Sequence, residues 1–255
     1  MSGGPAAIDL PPAYRLVRLG RVGSTNDEAK RLARDGAEDG TLVWALEQTA
    51  GRGRRGRAWS SPPGNLYCSL VLRPEVPPGE AAQLGFVAAV GLGEAIGALV
   101  PPLVPLHYKW PNDLLLNGRK LAGMLLESEG THDGALDWLV LGIGANVASY
   151  PEETERPATS LHAAGAADAT AERLLEGFAR CFLARVDRWL EDGFEPIRAA
   201  WLARAAGIGE TIRVRLEREE LTGRFASLDA DGALLLDTGA GRRRVTAGDV
   251  FLGAG

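Results

Sequence analysis

Residues 109–127 read KWPNDLLLNGRKLAGMLLE, a pattern of short apolar runs separated by turn residues. Leu114-Leu115-Leu116 is a short apolar strand, and Asn117-Gly118-Arg119 has the composition of a type I′ hairpin turn, which needs positive φ at its central residues. Lys120-Leu121-Ala122-Gly123 begins the return strand, which runs on through Gly123–Glu129. On the other side, Lys109-Trp110-Pro111-Asn112-Asp113 closes a strand over Leu106–Lys109 and enters the next. Antiparallel hairpins therefore form the middle of the chain.

Strands are expected outward from this centre at Tyr14–Val17, Thr41–Glu47, Asn65–Arg73 and Leu139–Gly144. Helices are expected from Ser24 to near Gly36, over 80–99, over 170–192 and over Phe194–Ala206. The first of these opens with Ser24-Thr25-Asn26-Asp27-Glu28, offering capping oxygens and acids at the positive end of the helix dipole. Near Gly207 the texture changes: Ile212, Val214 and Leu216 alternate with polar residues, and Gly-rich turns flank Ala233–Leu236 and Arg244-Val245-Thr246. Short strands so closely spaced predict a small barrel of roughly 45–50 residues. The fold class is α+β: a domain over 1–206 with a large mixed or antiparallel sheet and packed helices, then a β-barrel over 207–255.

Composition narrows the function. The 255 residues are 45% hydrophobic, enough to bury a sizeable core. A net charge of -5 argues against a protein built to grip nucleic acid. Cys68 and Cys181 make no disulfide framework, and His107, His132 and His162 are too scattered for a zinc site, so no metal is expected on His/Cys clusters. The opening MSGGPAA lacks the charged start of a signal peptide, and no apolar run would span a bilayer, so a cytoplasmic protein without membrane partners is expected. Of 28 basic residues only Lys30, Lys109 and Lys120 are lysine, and two of these three lie in the central hairpins.

Gly51, Gly53 and Gly56 formally match the dinucleotide-binding pattern G-x-G-x-x-G. That pattern requires a helix at its end to receive the pyrophosphate, whereas Trp59-Ser60-Ser61-Pro62-Pro63-Gly64 follows. The loop instead brings four guanidinium groups between two strands, with glycines that let the backbone approach an anion. A solvated basic hairpin tip and an RNA-contacting loop are the alternatives at this point. Lys109 and Lys120 could likewise be solvated edge lysines that discourage aggregation.

The order in which these segments occur adds the decisive information. STN (24–26), QTAGRGRRGRAW (48–59), KWPNDLLLNGRKLAGMLLE (109–127), LGIGANV (141–147) and ATSL (158–161) closely resemble the motifs of the biotin protein ligase family. The resemblance implies an SH3-like C-terminal barrel and a two-step reaction. Biotin and ATP, with Mg2+, form biotinyl-5′-AMP, and the biotin then passes to a lysine of a biotin carboxyl carrier domain. It implies that Ser24, Thr25, Asn26 and Gln48 meet biotin's ureido ring, and that Arg52, Gly53 and Arg54 order over the acyl-phosphate. Lys120 and Arg54 are the implied catalytic residues. Gly123 and Gly142 would line the biotin slot where a side chain would intrude. Trp59, Lys109, Asn112 and Asn146 would face the nucleotide or its metal. Only about 20 residues precede Ser24, too few for the helix-turn-helix domain of bifunctional relatives. A dedicated ligase, monomeric or homodimeric and without nucleic acid, is therefore expected, with a lipoate–protein ligase as the alternative. The Arg242-Arg243-Arg244 run reads as a solvated edge of the barrel.

Overall fold

The computed structural model describes residues 8–130, 135–154 and 156–252; the MSGGPAA opening and His132 lie outside the described residues. Seven strands form the main sheet: β1 (Arg15–Val22), β2 (Thr41–Gln48), β3 (Leu66–Leu72), β4 (Leu106–Lys109), β5 (Asp113–Leu116), β6 (Arg119–Gly130) and β7 (Leu136–Ala145). Their order is β1-β2-β3-β7-β6-β5-β4. β1 and β2 run parallel and every other pairing is antiparallel, so the sheet is mixed. At the decisive hairpin Asn117 and Gly118 take φ of 51° and 72°, the conformation expected of a type I′ turn.

The parallel pair requires a crossover, supplied by α1 (Thr25–Arg34). Asp27 and Glu28 in its first turn and Arg31 and Arg34 in its last complement the helix dipole. Ala29 and Ala33 press α1 onto Val43, Val71, Trp138 and Val140, a small apolar cluster on one face of the sheet. The opposite face carries the main core, against which α3 (Leu84–Gly97), α4 (Ala171–Asp192) and α5 (Glu195–Leu202) pack; α2 (Pro78–Ala81) precedes them. Gly91 and Gly93 permit close contacts of α3. A Cβ at Gly91 would stand 3.0 Å from the Phe182 backbone of α4, and one at Gly93 would strike the Tyr108 ring.

The C-terminal unit comprises β8 (Thr211–Arg215), β9 (Glu220–Leu228), β10 (Leu234–Thr238), β11 (Gly241–Val245) and β12 (Asp249–Phe251). They form a five-stranded antiparallel sheet ordered β11-β10-β9-β8-β12. Its inward residues Ile212, Val214, Phe225, Leu234 and Val250 belong to the same apolar cluster as the main sheet. The Trp110 indole also donates to the Gly232 carbonyl at 3.1 Å, so the two sheets are packed together. Arg242, Arg243 and Arg244 lie on the edge strand β11, paired with Asp237, Glu219, Asp229 and Asp231.

Three expectations are corrected. The helix over 80–99 is divided into α2 and α3, because around Ala82 and Gln83 hydrogen bonds tighten to i→i+3, as from Gln83 N to Glu80 O and Gly85 N to Ala82 O. The helix from Phe194 stops at Leu202, not Ala206, because the chain beyond pairs with the edge of the sheet: Tyr108 N donates to Arg204 O and Ala206 N to Tyr108 O. That contact covers an otherwise open strand edge. Ser24 occupies the N-cap position of α1, yet its side chain makes no capping bond.

Gly91→Val should destabilise the protein by about 1–3 kcal/mol, since the clash is with backbone that cannot swing aside. Urea unfolding measures this, and an unchanged midpoint would show that α3 and α4 can part without cost.

Candidate active site

On the face that α1 covers, the pleat brings Ser69 of β3, Gly142 of β7 and Leu125 of β6 into one row, and Tyr67, Gly144 and Gly123 into the next. The sheet is therefore bare at three neighbouring positions, Gly142, Gly144 and Gly123, just beyond the N-terminus of α1. A Cβ at Gly142 would lie 2.0 Å from Asn26 Oδ1, and one at Gly144 would lie 2.6 Å from the Trp59 indole. Gly123 is looser: its Cβ would be in ordinary contact with Asp113 and Lys120, 3.5 Å away, so intrusion there concerns the space above and not the protein's own atoms. Over this trough opens a cavity of about 390 Å³.

Ser24, Thr25, Asn26 and Gln48 line the cavity on the Gly142 side. Their polar atoms are fixed by one another. The Gln48 carbonyl accepts from Thr25 N at 2.8 Å and from Thr25 Oγ1 at 3.1 Å, while the Gln48 amide donates to Ser61 Oγ at 3.0 Å. Ser69 Oγ stands 2.8 Å from Thr25 Oγ1 and 2.6 Å from Asn26 Oδ1, buried beneath both. Asn26 Nδ2 donates to Glu127, which also pairs with Lys30 at 2.7 Å.

Arg52, Gly53, Arg54 and Trp59 lie over the cavity, and Asn112, Lys120, Gly123, Gly142 and Asn146 complete its walls. Lys120 reaches it because of a bulge. Leu115 pairs with Lys120 and Leu114 with Ala122, which leaves Leu121 as an extra residue in β6. Leu121 and Ala122 both enter the core, and Lys120 is re-aimed to the face of Gly123. Its Nζ lies 2.6 Å from Asp113 Oδ1 and 5.3 Å from the centre of the Trp59 ring. Asn112 donates its amide to the Met124 carbonyl, and Asn146 donates to Thr159 O at 2.9 Å.

Lys109 is not part of the lining. It is buried behind Asp113, 3.8 Å from Oδ2, so it faces the cavity only through that carboxylate. Burial pulls its ammonium from the usual 10.5 to about 8, against the opposing attraction of Asp113.

The arginine loop is tied to the C-terminal unit. Arg55 and Arg57 pair with Asp249 of β12 at 3.1 and 2.7 Å, and Arg54 donates to Gly248 O at 3.2 Å. Burial tends to raise the Asp249 carboxyl, but the Arg57 hydrogen bond and the charges of Arg57, Arg55 and Arg156 hold it below its ordinary value. Burial lowers the Arg54 guanidinium below its usual range. Arg52 pairs with Asp27 on α1. Sequence reading missed Ser69, Asp113, Glu127, Arg156 and Asp249 as site residues. Asp113 and Glu127 stood inside the 109–127 motif already marked, and Ser69 was the one aliphatic hydroxyl in the apolar run Leu66–Leu72. Arg156 and Asp249 carried no local signal.

Residues 10–203 match the biotin/lipoate A/B protein ligase family, and residues 207–253 match the biotin protein ligase C-terminal domain. The chain belongs to the biotin protein ligase family. A biotin–[acetyl-CoA-carboxylase] ligase of Paracoccus denitrificans is 44% identical over 92% of this chain and 99% of its own length. The solved biotin protein ligase of Aquifex aeolicus in complex with biotin and ATP superposes with a TM-score of 0.80 at 29% identity, covering 92% of this chain and 97% of that one. The Leishmania major biotin protein ligase in complex with biotinyl-5-AMP gives a TM-score of 0.64 at 27% identity, with 93% and 100% covered. The mixed sheet followed by a separate antiparallel sheet is thus the architecture of biotin ligases. No helix of the described residues is long and apolar enough to cross a membrane.

The depressed Lys109 pKa fixes the sign of a pH effect. Between pH 8 and pH 10.5 the unfolded chain retains a proton that the folded ligase has lost, so Lys109 destabilises fully below this window and progressively less within it. The unfolding free energy of the wild type minus that of Lys109→Met should therefore climb with pH across that range. A flat difference in pH-dependent urea titrations would exclude the shift.

Proposed function

We propose that this chain joins biotin to ATP as biotinyl-5′-AMP and transfers the biotin to a lysine of a biotin carboxyl carrier domain. The observation that carries this reading is the convergence of the arginine loop and Lys120 on one glycine-floored cavity whose other side is a fixed array of amide and hydroxyl groups. The last array suits a neutral ring with hydrogen-bonding edges; the cations suit a carboxylate and phosphates.

A biotin carboxylate oxygen attacks the α-phosphorus of ATP. The bond from that phosphorus to the bridging oxygen breaks, and pyrophosphate leaves with the electron pair. Lys120 is assigned to neutralise the negative charge shared by carboxylate and α-phosphate, a role that is stronger where water is excluded. Asp113 orients the Lys120 ammonium, and Lys109 supports Asp113 from behind. Arg52, Gly53 and Arg54 cover the mixed anhydride, with Trp59 and Asn146 toward the nucleoside. Asn26, Thr25, Ser24 and Gln48 hold the ureido ring above Gly142. In the second step an uncharged lysine amine of the carrier attacks the anhydride carbonyl, AMP departs with the electron pair, and the amine loses a proton.

Mg2+ is assigned to the nucleotide's phosphates. Among the described residues no group of three or more His, Cys, Asp or Glu side chains could cage a metal. The carboxylates lining the cavity, Asp113 and Asp249, already face cations, so the ion is expected to arrive with ATP as substrate.

Lys120→Ala should lower biotin-dependent ATP–pyrophosphate exchange by at least about 100-fold, the scale of losing a charge-stabilising donor. Exchange within a few-fold of wild type removes Lys120 from the chemistry. Arg54→Gly, which frees the loop from Gly248, should release biotinyl-5′-AMP and label bystander lysines; unchanged acceptor selectivity in a mixed-protein assay contradicts the covering role.

A further inference from the structure

Asp113 faces three cations: Lys120 at 2.6 Å, Arg156 at 3.7 Å and Lys109 at 3.8 Å. Asp249 shares the charge of Arg156 at longer range, but Asp113 is the carboxylate at ion-pair distance and it bonds Lys120 most closely. Arg156 is left at ion-pair distance, and its Nη2 is buried with no hydrogen-bond partner among the described residues. A buried guanidinium nitrogen without an acceptor is costly and calls for an anionic one.

Arg156 is not placed there by a flexible stem alone. Lys120 N donates to Pro157 O at 2.8 Å and Thr159 N donates to Lys120 O at 2.9 Å, a short parallel bridge that sets the 157–159 backbone directly beside Lys120. The Arg156 guanidinium is supported from the other side by the Phe251 ring, 4.7 Å from its centre. Arg213 and Arg215 approach the same ring at 4.9 and 4.6 Å, so cationic charge continues from the cavity wall onto the outer side of β8.

We infer that Arg156 is a substrate-contacting residue that binds the β- and γ-phosphates of ATP and the pyrophosphate they become, at the seam between the two sheets. The inference rests on the adenylating reading above. With the carboxylate and α-phosphate at Lys120, the two outer phosphates need a cation beyond Asp113, and Arg156 is the residue there with an unmet donor. On cleavage of the bond between the α-phosphorus and its bridging oxygen, the electron pair stays on pyrophosphate, and the fork of Arg156 accommodates the added charge.

Titration calorimetry with inorganic pyrophosphate and with biotin, on the full chain and on Arg156→Gln and Arg156→Lys, tests this together with steady-state adenylation. Arg156→Gln should weaken pyrophosphate binding and raise the KM for ATP by about tenfold or more, the scale of a charged hydrogen bond, while biotin affinity stays within about twofold. Arg156→Lys, which keeps the charge without the planar fork, should fall between the two and serves as the test if the glutamine variant does not fold. Pyrophosphate affinity unchanged in the variants overturns the inference, as does an equal loss of biotin binding. Arg156-dependent pyrophosphate binding by a wild-type chain that adenylates nothing would keep this subsite and remove the ligase reading.

Discussion

The site depends on a missing layer of side chains. A sheet face in a protein of this size is normally covered by its own residues and then by a helix, and α1 supplies that cover over Val43, Val71 and Val140. Where α1 begins, the rows across β6 and β7 present Gly123, Gly142 and Gly144. Backbone is thereby left as the floor, so side chains can approach it closely: the Trp59 indole occupies the space a Cβ would take at Gly144, and the Asn26 amide the space at Gly142. Glycine weakens a strand, and here that weakness is offset by the dense core on the reverse face.

Charge is distributed around that floor unevenly. The Gly142 side is neutral and mutually hydrogen-bonded, with the Lys30–Glu127 pair behind it. The Gly123 side gathers Lys109, Lys120 and Arg156 about Asp113, and Arg55 and Arg57 about Asp249. Cations crowded in this way repel one another and are held only because the fold fixes their backbones. That stored repulsion makes the region receptive to a polyanion, while the neutral side discriminates by shape and hydrogen-bond pattern.

Local chemistry was legible where it was local. The Asn117-Gly118 turn, the helix starting at Thr25 and the pairing of Leu106–Lys109 with Asp113–Leu116 follow from turn composition and apolar periodicity. The convergence of the arginine loop with Lys120 came from the resemblance of ordered motifs, since no periodicity states which loops meet. What escaped was set by long-range geometry. The bulge at Leu121 reverses the facing of Lys120 without altering composition, and Arg156 gains its place through the Lys120–Ala158 bridge and the Phe251 ring. β9 and β12 were not anticipated, the first because Gly223 and polar residues interrupt its alternation, the second because Asp249–Phe251 is only three residues long.

The bonds from Arg54, Arg55 and Arg57 to Gly248 and Asp249 make the final strand a partner of the loop rather than a bystander. Linkage makes such a tie run both ways: whatever steadies the loop must also steady β12, and whatever frays β12 loosens the loop. Since Asp249 stands 192 residues after Arg57 in the chain, the covering of the cavity waits on both sheets being synthesised and folded. A nascent chain that has completed its large sheet, but not its last strand, holds the floor and the lysine without the fastening for the roof.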